Sequence, residues 1–243
     1  MDSIADRKQL AGNVLFTVIS GLSAFLIITG GALLSAWYYS GRTHESYSFF
    51  NHFISELGNR NYSGHAYFFN GGMMLAGIPI IAFMIGISSL LSSRLRHPFL
   101  LAGVLSGILC ILLGYYSSDR FDIHIKVAMA QFNAMLFSSA FFSIAVLREG
   151  DRGYFGRWLG YSGALPILCI LSFLWIEYRH QQDVWSGHVH QLLYHRPAFW
   201  PLPFMEWMVF FSLITWVALI CGYLMYAAAS RDGMESEYAM QHK

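Results

Sequence analysis

Imidazole is the side chain best suited to proton transfer or metal ligation near neutral pH, and histidine is unevenly placed in this chain. Of its ten histidines, eight (His44, His52, His65, His124, His180, His188, His190 and His195) gather in two long polar-aromatic segments and one short turn. The segments are about 39–65 and 178–203, and the turn lies near 118–124. Glu45, Glu56, Asp119, Asp122, Glu177, Asp183 and Glu206 lie in or beside the same places.

Four sets of residues carry candidate chemistry. In the first segment, Tyr47, Phe50, Phe53, Ile54 and Leu57 recur at helical spacing. The pattern predicts a short interfacial helix over 46–57, closed by Gly58 as a C-cap. His52 and Glu56 would then share one face, as a metal-ligand or acid–base pair or as the polar side of an interfacial helix. In the second segment, GHVHQLLYH sets His188 and His190 to one side of an extended backbone, with His195 close by. With His195 or a carboxylate added these could bind Zn or Cu, although no HExxH or CxxC spacing is present and surface histidines explain the run equally well. At the short turn, Asp119, Asp122 and His124 exceed what is needed for a helix cap at Ser118 or Asp119 and an Asp122–Lys126 pair. Glu206 stands in the first turn of the last apolar helix, where the dipole favours a carboxylate.

The elements that must position these groups are membrane spans. Apolar residues make up 56% of the chain and charged residues 12%, a balance that a soluble core of this size could not bury. Apolar runs predict six spans, at 12–38, 66–91, 98–117, 125–147, 158–177 and 204–229, followed by a short tail at 231–243. The first run is too long for a signal-peptide core and reads as a span. The fold class expected is an all-α, six-helix membrane bundle in one domain. Gly71, Gly72, Gly77, Gly86, Gly103 and Gly107 favour close helix packing within that bundle over a dimer face. Gln131 and Asn133, polar within the fourth span, are expected to face its interior. Cys110, Cys169 and Cys221 sit in apolar runs and read as inert thiols.

Six spans place both termini on one side. That side carries nine basic residues on short links and tails, and the other carries six spread over long loops. The positive-inside rule therefore predicts cytoplasmic termini and an extracytoplasmic working face. The net charge of +1 gives no reason to expect nucleic acid.

Three short motifs add a resemblance. They are Ile54-Ser55-Glu56-Leu57-Gly58 followed by Phe68-Phe69-Asn70-Gly71, the stretch 119–124, and Glu206-Trp207. With the six-span layout, the chain resembles the Frag1/DRAM/Sfk1 group and its uncharacterised bacterial relatives, to which Ser55-Glu56 is closer. That resemblance implies association with membrane lipid. Two functional readings follow. In one, lipid is bound or remodelled at a site of Ser55, Glu56, Asp119, Asp122, His124 and Glu206, with a histidine or carboxylate as base. In the other, the histidine-rich loops bind metal or a partner within a larger membrane assembly.

Overall fold

The computed structural model describes residues 4–184 and 193–241, with side chains described for 8–150, 152–179 and 193–230. Every apolar run of spanning length forms a helix, because in lipid the backbone must satisfy its own hydrogen bonds. The helices are α1 (Ile4–Trp37), α2 (Ala66–Leu90), α3 (Arg96–Tyr115), α4 (Phe121–Glu149), α5 (Ala164–Val184) and α6 (Pro201–Gln241). Six stretches of helix are long and apolar enough to cross a membrane. Each helix packs on the next in sequence, and α6 returns against α1, so the bundle closes as a ring.

The two ends of the bundle differ. Towards the termini, a large apolar core includes Val14, Phe83, Phe99, Phe142, Trp216 and Leu224. The short links there are pinned by side chains. Glu149 accepts hydrogen bonds from the amides of Ser92 and Ser93, at 2.8 and 2.6 Å. Tyr223 Oη accepts from the Gly156 amide and donates to the Tyr154 carbonyl. The predicted fifth span divides into a 3-10 turn, Arg157–Tyr161, and α5. Gly163, just before α5, lies so close to Ser139 and Ser143 of α4 that a Cβ would collide with both.

Glycines set the helix crossings. Gly77 and Gly107 face one another across α2 and α3, where a Cβ on Gly77 would lie 2.6 Å from the Gly107 carbonyl oxygen. Gly31 and Gly72 bring α1 onto α2 in the same way. Gly71, one residue along, faces open space. Only one of the two amides in α4 faces inward. Gln131 is buried and donates to Ser106 Oγ at 3.2 Å, whereas Asn133 is exposed. Two positions apart on a helix lie on nearly opposite faces. Asn133 is satisfied by the Met129 carbonyl of its own helix.

Candidate functional site

The expected interfacial helix over 46–57 does not form. Residues 41–53 run as turns and irregular backbone, and only Ile54–Gly58 coils, as a buried 3-10 turn. It ends at Asn59, whose amide bonds back to the Glu56 carbonyl, so Gly58 is not an α-helical C-cap. Ile54 and Leu57 are drawn inward by the bundle, whereas Phe49 and Phe50 stay exposed. Leu57 is fully buried, and Ile54 packs with Ala32, Tyr39, Phe69 and Trp207.

A buried turn exposes backbone groups that need partners, and the surrounding helices supply them. Ser35 of α1 donates to the Leu57 carbonyl at 2.8 Å. Asn70 of α2 donates to the Gly58 carbonyl at 2.9 Å. Ser118, in the α3–α4 turn, donates to the Ser55 carbonyl at 2.9 Å. Glu206 of α6 accepts from the Ile54 amide at 2.8 Å. The neighbouring Trp207 indole donates to Tyr47 Oη. Residues of the first and last motif segments, with Ser118 just before the second, thus meet in space around this one turn.

On its loop side the turn presents Glu56, which is occupied by four donors. Arg196 engages it bidentately, Nη1 to Oε1 at 3.0 Å and Nη2 to Oε2 at 2.6 Å. The Phe53 amide and the Tyr39 hydroxyl complete the set. Both side chains of the ion pair are under 10% exposed. Removing either would strand a buried charge, at a cost of about 3–5 kcal/mol. Arg196 also donates to the Asn51 carbonyl, Asn51 to the Pro197 carbonyl, and the Trp200 amide to the Phe50 carbonyl. Together these bonds fasten the loop after α1 to the segment entering α6.

Glu45 lies beside the pair, 3.8 Å from Arg196 Nε and 3.6 Å from His52 Nε2. Burial opposes its charge, but hydrogen bonds from the Thr43 hydroxyl and the local amides prevail and hold its carboxyl down at about 2. His52 is 2% exposed. Burial, then the Arg196 charge, press its pKa below the ordinary 6.5, so the ring is neutral at pH 7. Its Nδ1 lies 2.8 Å from Asn51 Oδ1, while Nε2 has no hydrogen-bond partner. Burial likewise raises the hydroxyls of Tyr39 and Tyr47 well above their usual range. Both Glu56 oxygens are thus taken by donors. The open His52 Nε2 is the imidazole nitrogen that faces the Glu45 carboxylate.

The remaining expected residues separate. His124 is buried at the top of α4, with Nδ1 2.8 Å from the Tyr116 carbonyl. Asp119 accepts from Ser117 and caps no helix. Asp122 is exposed in the first turn of α4, outside the cluster. The backbone of Ser55 belongs to the anchored turn, with its carbonyl taken by Ser118. His195 is exposed, and His188 and His190 lie outside the described residues. Among the described residues no three His, Cys, Asp or Glu side chains form a metal-type group. The sequence reading left Arg196, Tyr39 and Glu45 out of the site. The one signal available was that a buried Glu56 requires a cation, and sequence alone does not say which.

A ring of helices that seals its loops at one end with buried polar groups defines a six-span integral membrane protein. The chain belongs to DUF998, a family of proteins of unknown function whose profile matches residues 27–223. No curated protein and no solved structure matches it.

Proposed function

We propose that this protein binds or remodels membrane lipid at its loop face, with both termini in the cytoplasm and a kinship to the Frag1/DRAM/Sfk1 group. The observation that carries the reading is the depth of the ionic cluster. Trp37, Tyr38, Tyr67, Tyr115, Trp175 and Tyr178 are all exposed at the loop ends of their helices. Such aromatics settle at the headgroup level, which sets Glu45, His52, Glu56 and Arg196 at that level too. Charged groups buried in a membrane protein are costly and usually serve a purpose beyond packing. Here the Glu56–Arg196 pair holds the loops in place, and His52 with Glu45 is the acid–base element beneath them.

Lipid extracted with the protein purified in mild detergent tests the reading. A headgroup class enriched over the surrounding membrane, and diminished in a folded His52→Gln variant, is the expected result. Co-purified lipid identical in composition to the bulk membrane, in wild type and variant alike, would overturn it.

A further inference from the structure

We propose that the corner between α3 and α4 is a binding site for the phosphate of an anionic phospholipid, formed by Arg60 and Arg120 around Tyr115. The inference rests on the lipid reading above and gives it a ligand class and a place. Arg60 Nη2 lies 3.5 Å from the Tyr115 carbonyl oxygen. The Arg120 guanidinium carbon lies 5.6 Å from the Tyr115 ring centre and 6.0 Å from that of Tyr116. Two guanidinium groups from distant parts of the chain therefore gather on one residue, and both are exposed.

Among the described residues neither arginine forms an ion pair with a carboxylate, in contrast to Arg196. The acidic groups of this corner are Asp119, which accepts from Ser117, and Asp122, exposed in the next turn. Lys126, one turn further along α4, adds a third exposed cation. Stacking on an aromatic ring fixes a guanidinium while leaving its N–H edge free for an oxyanion, and that planar edge suits phosphate.

A lipid, rather than a soluble anion, is indicated by what adjoins the cations. Tyr115, Phe121 and Ile123 are 50%, 60% and 45% exposed at the ends of two spans. Acyl chains attached to a phosphate held here would run down this apolar wall. A dissolved phosphate would gain nothing from it.

Full-length protein in non-ionic detergent, titrated with phosphatidylglycerol and with phosphatidylcholine and read by native mass spectrometry, tests the site. Phosphatidylglycerol is expected to bind more tightly. Arg60→Ala/Arg120→Ala should weaken it about 30-fold, from the contribution of two surface arginines, and leave phosphatidylcholine unchanged. Arg179→Ala removes an exposed arginine stacked on Trp175 elsewhere and should shift phosphatidylglycerol less than about 2-fold. A preference that survives the double variant, or an equal loss in Arg179→Ala, overturns the site while lipid binding stands. So does displacement of phosphatidylglycerol by equimolar inorganic phosphate, which would mark a soluble-anion site. Wild-type protein that retains neither lipid removes the lipid reading itself.

Discussion

His52 shows how burial converts an ordinary side chain into a conditional one. Its charged neighbours are one arginine, Arg196, and two carboxylates, Glu45 and Glu56, yet desolvation sets the direction of its shift. A histidine whose folded pKa lies below its unfolded 6.5 binds its proton first in the unfolded chain. The stability it confers is complete above about pH 6.5 and is lost as pH falls towards the folded value. Glu45 has the same sign over a lower range. Its carboxyl is held at about 2 against an ordinary 4.5, so its contribution fades between those values on acidification. The difference in thermal midpoint between wild type and His52→Gln in detergent should therefore be level above neutrality and move against the wild type as pH falls below about 6.5. That between wild type and Glu45→Gln should move the same way between about 4.5 and 2. A wild type that gains on His52→Gln between about pH 7 and 5.5 would mean that a charged His52–Glu45 pair outweighs burial.

Among the helices, the glycines of α2 allow a direct comparison, because two positions on one helix face different surroundings. Gly77→Ala forces a methyl into Ile111 and the Gly107 carbonyl and should destabilise the bundle by about 1–3 kcal/mol. Gly71→Ala meets nothing and should change stability by less than about 0.5 kcal/mol. Unfolding midpoints of the two variants in one detergent check this, and equal effects would refute the packing argument. The helices themselves were legible because a bilayer imposes length on apolar runs, and each predicted span lies within a few residues of a helical stretch long and apolar enough to cross a membrane. Position 46–57 was not legible, since helical spacing of Tyr47, Phe50, Phe53 and Leu57 describes local pattern alone. What bends that loop inward is a set of partners far away in sequence: Ser35, Asn70, Ser118, Arg196 and Glu206. Periodicity carries no information about such partners. The short motifs flagged Glu56, Asn70 and Glu206 individually, and only the fold reveals that they serve the same turn.

At the scale of the whole molecule, the bundle is asymmetric along its axis, and the asymmetry bears on which way it faces. The terminal end is closed by short links and an apolar core, with Phe142, Phe155 and Trp216 stacked edge to face. The loop end is closed by ionic and hydrogen-bonded contacts. Nine of the fifteen basic residues fall on the terminal side, in links and tails that are short, where positive charge governs insertion. Cysteine labelling tests the resulting orientation, because Cys110 and Cys221 are buried and Cys169 is only partly exposed. Asn61, in the loop after α1, and Ser92, in the α2–α3 link, are both exposed on opposite ends of α2. A membrane-impermeant maleimide added to intact cells should label Asn61→Cys, and should reach Ser92→Cys only after permeabilisation. The reverse pattern would invert the protein and move Arg60, Arg120 and the ionic cluster to the cytoplasmic leaflet. Labelling of both from outside would contradict α2 as a span.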